Sequence, residues 1–401
     1  MTPPMSAPRP QVSFLVQDIF SPVLGPVTVL AQHLVPDFEV EIVGPDFGTG
    51  ICPMYRGAFP YRAIPCPRIY RWPDYLWESR RLEAALSGEV IVAVKAFATS
   101  LPVALRAKRR RGARVVAYLD EWDGALMARL TRAQRAKRWL RHFHHPADDV
   151  YCPWIERLLP RCDKILSTTT ALQRRFGGDV LPMGVDLEAF SPRPPDESAA
   201  LRRQLGLQDR RLIVFGGVVR PHKGIEWILD ALVAIGDPRN ALVIVGPRNE
   251  HVIHLEGQAA YAPYLRAVGA RPKAEMPMHL GLADLVVLPL NNDLLAQTQM
   301  PCKVFEAMAM AKPVVATGVS DLPLVLADCG WTVPPNDVAA LAERIRWALD
   351  HPAESAERGR RAREKCAAQY GQPVAARQLK ATIAALLDPP APRPNPTGRP
   401  T

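Results

Sequence analysis

The 401-residue chain lacks a long hydrophobic run. Its longest uncharged candidate, Ile19 to Pro36, is interrupted by three prolines, a glycine, Gln32 and His33, which excludes a membrane-spanning helix. The seven cysteines are an odd number without CxxC spacing, so a disulfide scaffold is excluded. The opening residues MTPPMSAPRP have no apolar core of a secretory signal, and the expectation is a reduced, cytoplasmic protein. There is no GxxxxGK(S/T) for a P-loop and no GxSxG elbow. The loop after the first apolar run, DIFSPVLGP, has one glycine, Gly25, where a dinucleotide fingerprint needs three. No DxD pair is present to hold a nucleotide-bound metal. His142, His144 and His145 cluster without cysteine or paired acids, and read as solvated surface. No metal site and no cofactor are expected.

What is present is globular in composition, with 48% hydrophobic and 22% charged residues. The net charge is +10, and arginine (40) far outnumbers lysine (10). Prolines number 41, and a composition rich in Arg, Ala and Pro fits a GC-rich genome. The charge is concentrated, with twelve Lys/Arg against three acids from Arg106 to Arg141. That segment has few aromatics beside Trp139 and Phe143 and no nucleic-acid motif, so no nucleic-acid partner is expected. Gly124 to Phe143 reads as one basic helix with Leu126, Leu130 and Phe143 as apolar anchors. Two readings stay open: peripheral contact with an anionic membrane, or a docked helix with a solvated basic face.

Between two proline-rich tails, 1–10 and 388–401, whose composition reads as disordered, short apolar runs alternate with helical patterns. The runs are Val12–Val16, Phe38–Val43, Val90–Val94, Val115–Leu119 and Ile165–Ser167, then Leu212–Phe215, Ala241–Val245, Leu285–Leu288 and Pro313–Ala316. Apolar on both faces, they read as strands of parallel sheets covered by helices. Ile225, Ile228, Leu229 and Leu232 mark one such helix, and Leu379, Ile383, Leu386 and Leu387 another. The rhythm restarts after SPRPPDES, Ser191 to Ser198, which reads as a linker. The fold class expected is α/β, with two doubly wound domains and a cleft between them. Residues 44–74, with six prolines, read as a long irregular insertion.

Two stretches carry chemistry. In FGGVVRPHKGIEWILD, Phe215 to Asp230, a strand ends in Gly216-Gly217, and a loop delivers Arg220 and Lys223 ahead of a helix. Glycines admit close backbone approach, and a helix N-terminus with two cations attracts phosphate. A diphosphate site and a plain strand–turn–helix are equally compatible with these residues. In PCKVFEAMAMAKPVVA, Pro301 to Ala316, Glu306 stands among apolar neighbours and needs a partner: ligand hydroxyls, or Lys303 at i−3.

The order of motifs resembles the family 4 glycosyltransferases, retaining enzymes of the GT-B fold that use nucleotide-sugar donors. VLPMGVDLEAFSP, Val180 to Pro192, is similar to the family's interdomain segment, and FGGVVRPHKGIEWILDAL to its diphosphate loop. ALVIVGP, VGARPKAEMPMHLGLADLVVLPL, KVFEAMAMAKPVVAT and NDVAALAERI follow in family order, so the resemblance runs from about Asp163 to Leu387. It implies two facing Rossmann-like domains: residues 11–190 on the acceptor side and 191–370 for the nucleotide-sugar, with a helix at 371–387 crossing back. It also implies that Lys223 and Arg220 clamp the diphosphate and that Glu306 holds the ribose hydroxyls. The backbone around Arg271 would read the base, and Gly246 and Pro247 would line the nucleotide site beside Gly216 and Gly217. The loop Gln299, Met300, Pro301 and Lys303, with Thr298 and Val304, would face the donor sugar and phosphates. Gly25 is grouped with the substrate-binding residues.

Three departures qualify the resemblance. Thr298 stands where the family has its first acid, although Pro301, Lys303 and Glu306 fit a P-x-K-x-x-E variant. The family's usual arginine falls at Val218, with Arg220 as substitute. In place of an N-domain histidine, RVVAYL runs into Asp120, Glu121, Trp122 and Asp123. Asp120 or Glu121 is then either a carboxylate beside the reacting carbon or acceptor hydroxyl, or an acidic start to the next helix. The function expected is metal-independent transfer of a sugar, with retention, from a nucleoside-diphosphate sugar to an acceptor hydroxyl. The acceptor would be a small molecule, a glycan or a lipid-linked sugar. The alternative is a catalytically degenerate nucleotide-binding or scaffold protein.

Overall fold

The computed structural model describes residues 9–220 and 223–388. Of the tails expected to be disordered, 1–10 and 388–401, residues 1–8 and 389–401 fall outside the described residues, whereas Arg9 Nη1 donates to Val35 O at 2.9 Å, Pro10 O accepts from the Glu39 N–H at 3.0 Å and the Asp388 N–H donates to Ala384 O at 3.0 Å.

The first sheet has seven strands: β1 (Gln11–Leu15), β2 (Glu39–Asp46), β3 (Tyr61–Pro65), β4 (Val90–Val94), β5 (Arg114–Leu119), β6 (Lys164–Ser167) and β7 (Asp179–Val180). Their order is β3-β2-β1-β4-β5-β6-β7. β1 lies between β2 and β4, parallel to both, with Phe14 paired to Ile42 on one side and Val92 on the other. All five residues of β4 are buried. That is what an apolar run without alternation requires of a strand covered on both faces.

The later strands are β8 (Arg211–Gly216), β9 (Asn240–Val245), β10 (Leu265–Ala267), β11 (Val286–Leu288), β12 (Val314–Thr317) and β13 (Trp331–Val333). They form parallel ladders β10-β9-β8 and β11-β12-β13, joined by a bridge between Ile213 and Leu285. Counted from β8, the spatial order is 3-2-1-4-5-6, the doubly wound arrangement. The first sheet begins with the same order. Helix Ile225–Ile235 buries Ile225, Ile228, Leu229 and Leu232 completely, as its period demands.

The described residues fall into two compact units. One comprises the described residues of Met1–Tyr118, Ala136–Ile165 and Ala376–Thr401, the other Leu119–Arg135 and Leu166–Ala375.

Three local expectations are corrected. The 44–74 segment is not an irregular insertion, because β3 lies within it and pairs in parallel with β2. As an edge strand with only half-buried or exposed residues, YRAIP carries no apolar run to betray it. The linker at 191–198 ends inside a helix, Pro195–Gln204, which Pro194 and Pro195 start and Asp196 and Glu197 favour in its first turn. The single helix over 124–143 is two, Ala125–Arg129 and Arg132–His142, separated by an extended Leu130. Thr131 and Gln134 make a reciprocal cap: the Thr131 N–H donates to Gln134 Oε1 at 2.9 Å, and the Gln134 N–H to Thr131 Oγ1 at 3.3 Å. That T-x-x-Q signal outweighs the continuous charge pattern around it.

Candidate functional site

The site lies at the carboxyl end of β8, next to β11, where the strand order reverses. Open α/β sheets leave a crevice there. β8 ends in Gly216 and Gly217, and both positions have a steric reason. A Cβ on Gly216 would stand 2.5 Å from Met276 Cε. Gly217 has φ +123°, and a Cβ there would meet Lys303 Nζ at 2.9 Å. Across the turn after β9, a Cβ on Gly246 would be 2.1 Å from the Gly217 carbonyl oxygen. Asn249 ties the two turns together, its Nδ2 donating to Val219 O at 2.8 Å.

The loop closes into helix Ile225–Ile235. The Lys223 N–H donates to Arg220 O at 2.9 Å, and Gly224, at φ +64°, is the N-cap, with Pro289 O where a Cβ would go. Arg220 is exposed and Lys223 partly buried. Burial, then the nearby charges of Lys303 and Arg220, hold the Lys223 ammonium below its ordinary pKa, with Cys302 and Glu121 pulling the other way. Three cations are thus gathered at a helix N-terminus, an arrangement that favours a polyvalent anion.

Glu306 and Lys303 sit on helix Cys302–Ala309 and line a cavity of about 20 Å³ with Phe190, Phe215, Gly216 and Met276. The salt bridge between them allowed by their spacing does not form. Among the described residues Glu306 has no side-chain hydrogen bond or ion pair, and Lys303 lies instead by Gly217 and the Phe215 ring, 5.8 Å from its centroid. A half-buried carboxylate left in this way retains its capacity to accept ligand hydroxyls.

The other expected residues divide. Thr298 is buried and turns its hydroxyl back onto its own helix, donating to Leu294 O at 2.9 Å and Leu295 O at 3.2 Å. Met300 and Val304 belong to the core. Pro301 is the N-cap of the helix bearing Lys303 and Glu306. Gln299 Nε2 donates to Glu121 Oε2 at 3.1 Å. The backbone oxygen of Asp120, just after β5, accepts from Thr168 Oγ1 at 3.0 Å. The helix after these acids is capped by Gly124 without a side-chain bond, so they are not its N-cap. Pro247 and Arg271 are exposed, and Arg271 Nη2 donates to Val268 O at 3.3 Å. Gly25 belongs to the other unit, in the first turn of helix Leu24–Leu34 against Tyr55, whose Oη would be 2.7 Å from a Cβ. Sequence reading missed Gly224, Asn249 and Met276. Gly224 and Asn249 had local signals, as a glycine and an asparagine cap at helix starts, and Met276 had none. Among the described residues no group of three or more His, Cys, Asp or Glu side chains is placed to hold a metal ion.

Residues 209–351 match the family model described as glycosyl transferases group 1. A GDP-mannose-dependent alpha-(1-6)-phosphatidylinositol monomannoside mannosyltransferase of Mycolicibacterium smegmatis is 27% identical over 365 residues, covering 86% of this chain and 91% of that protein. A D-inositol 3-phosphate glycosyltransferase of Streptomyces avermitilis is 33% identical over 199 residues, and the match spans 46% of this chain and 41% of that relative. Anabaena HepE, solved with UDP and glucose, superposes with a TM-score of 0.73 at 19% identity, over 93% of this chain and 99% of that one. The sequence match and the shared architecture agree: residues 209–351 are similar to the group 1 glycosyl transferases, and the chain has the GT-B fold.

Proposed function

We propose that the protein transfers a sugar from a nucleoside-diphosphate sugar to an acceptor hydroxyl, with retention of anomeric configuration and without a metal. The observation that carries this reading is the gathering of Arg220, Lys223 and Lys303 around a glycine-lined helix N-terminus, with Glu306 alongside. Breaking the anomeric bond leaves negative charge on the diphosphate. Lys223, Arg220 and the amides at the start of helix Ile225–Ile235 meet that charge as it develops, which is the main catalytic task here. Lys303 adds a third positive charge from the other side of Gly217. Glu306 accepts the ribose hydroxyls, and the turn at Gly246 and Pro247 with the backbone near Arg271 borders the base.

The relatives' names cover GDP-mannose as donor and inositol phosphate or phosphatidylinositol glycans as acceptors. For this chain we propose a nucleotide-hexose donor and a lipid-linked acceptor. Helix Arg132–His142 buries none of its residues and, with the turn after it, exposes Trp139, Leu140 and Phe143 beside Arg132, Lys137 and Arg141. That mixture suits an anionic membrane surface, where each cation near the surface contributes about 1 kcal/mol. Among the described residues no helix is long and apolar enough to cross a membrane.

The test is a thermal-shift screen of UDP- and GDP-sugars, followed by a transfer assay with and without EDTA. A melting rise with one donor, and turnover that survives EDTA, are expected. Binding without turnover on any acceptor would favour the degenerate binding protein, and a strict metal requirement would defeat the charge scheme. Sedimentation with anionic and neutral vesicles at low and high salt tests the membrane contact; equal binding to both would return the acceptor to the soluble phase.

A further inference from the structure

The site has polar equipment that the diphosphate and the ribose do not use. Glu121 and Gln299 are 178 positions apart, yet Gln299 Nε2 donates to Glu121 Oε2 at 3.1 Å. The contact is built from both sides. The Gln299 N–H donates to Leu295 O, closing helix Leu294–Thr298, whose N-cap is Asp293. Asp293 also pairs with Arg129 at 3.3 Å, so the helix that follows Glu121 is pinned to the helix that precedes Gln299. Beside Glu121, the Trp122 ring lies under the Arg175 guanidinium, 3.6 Å from its centroid. Thr298, the neighbour of Gln299, is spent on its own helix and offers no hydroxyl.

Charges of both signs gather around the loop. Glu306 and Lys303 share a cavity, Lys303 lies by Gly217, and Lys223 is near enough to feel the charges of Lys303, Arg220 and Glu121. Two acids and three cations match the two demands of a nucleotide-sugar, hydroxyls on its ribose and sugar and negative charge on its diphosphate. A carboxylate accepts hydrogen bonds from hydroxyls at both oxygens, whereas it repels phosphate.

We infer that Glu121 receives the hydroxyls of the donor's sugar and that Gln299 is the positioning residue that aims it. This rests on the nucleotide-sugar reading above. It assigns Glu121 to binding the transferred group and leaves it out of acceptor deprotonation. It also makes the site selective for donors carrying a hydroxylated sugar over the bare nucleotide.

Calorimetry separates the inference from the reading beneath it. UDP, GDP, UDP-glucose and GDP-mannose are titrated into the wild type, Glu121→Gln and Gln299→Ala. The wild type is expected to bind one nucleotide-sugar more tightly than its bare diphosphate. Glu121→Gln should cut that preference by about ten- to hundredfold, the loss of a charge-assisted hydrogen bond or two, with affinity for the bare diphosphate held or slightly raised because a negative charge near Lys223 is removed. Gln299→Ala should move the same ratio by less, and it carries the test alone if Glu121→Gln does not fold. An unchanged ratio in both variants, equal loss for diphosphate and nucleotide-sugar, or no sugar preference in the wild type overturns the inference. A wild type that binds none of the four overturns the nucleotide-sugar reading itself.

Discussion

Two crevices in this molecule have the same topology and different chemistry. Both sheets reverse strand order beside their first strand, at β1/β4 in one unit and β8/β11 in the other. At the end of β8 stand two glycines and three cations. At the end of β1 the chain continues as Val16, Gln17 and Asp18, and local hydrogen bonds hold the carboxylates and the Gln17 carbonyl there. Asp18 Oδ1 accepts from the Phe20 N–H at 2.8 Å, Thr99 Oγ1 donates to Gln17 O at 2.7 Å, and Asp46 Oδ1 accepts from Gly48 and Gly50. Burial, with the Asp46 charge adding and the Phe20 N–H opposing, raises the Asp18 carboxyl above its usual pKa. The β1 crevice carries carboxylates, suited to hydroxyls, and the β8 crevice carries cations, suited to phosphate. Topology supplies the crevice and the loop residues decide what enters it.

The strongest way to break this comparison is at Lys223. Lys223→Ala is expected to lower turnover by about 10²–10³-fold with a smaller change in nucleotide affinity, because the leaving-group charge is largest in the transition state. Asp18→Asn, its counterpart in the other crevice, should leave nucleotide affinity untouched. Matching nucleotide-binding losses in the two variants would erase the distinction between the crevices.

Next in size is Gly246→Ala. Its Cβ would overlap the Gly217 carbonyl, so the turn must shift, at a cost of about 1–3 kcal/mol in stability. Melting temperature and nucleotide affinity should fall together; a variant that binds normally would show that the two turns are not rigidly coupled. Glu306→Gln keeps shape and loses charge-assisted bonds of about 1.5–3 kcal/mol, so nucleotide affinity should fall while the ligand-free melting temperature holds. An unmoved affinity would remove Glu306 from the ribose.

The smallest effect lies in the sheet of the first unit. Burial alone would raise the Glu41 carboxyl, but hydrogen bonds from Ser13, Ser87 and Arg62 outweigh it and leave the pKa below its ordinary 4.5. The unfolded chain therefore binds more protons in the window between the two values, and stability rises with pH there. The contribution is present above about pH 4.5 and is lost as pH falls through the folded value. Urea melts of Glu41→Gln against the wild type should differ at pH 7 and converge in acid. A gap that persists in acid would mean that Glu41 acts through packing alone.

The strands that were legible carry continuous apolar runs, such as VIVAV in β4 and ALVIV in β9, because such runs have few other uses. β3, β7, β10 and β13 were not legible: YRAIP is half-exposed at an edge, and DV, LRA and WTV are short and mixed in polarity, without an apolar run. Their pairing comes from the neighbouring strand. The break at Leu130 was written in Thr131 and Gln134, but the charge pattern on either side obscured it.

The sequence by itself determined the α/β class, the glycine–cation loop and the candidacy of Glu306, because each is written within a few adjacent residues. Tertiary structure decided which of two readings each residue follows. Lys303 leaves Glu306 for Gly217, since the glycine opens room that no spacing rule records. Thr298 turns inward onto its helix, and Gln299 meets a carboxylate 178 positions away. Local order is fixed by short-range sterics and periodicity; the partners of a charged side chain are fixed by which distant strands and helices the core brings to the same end of a sheet.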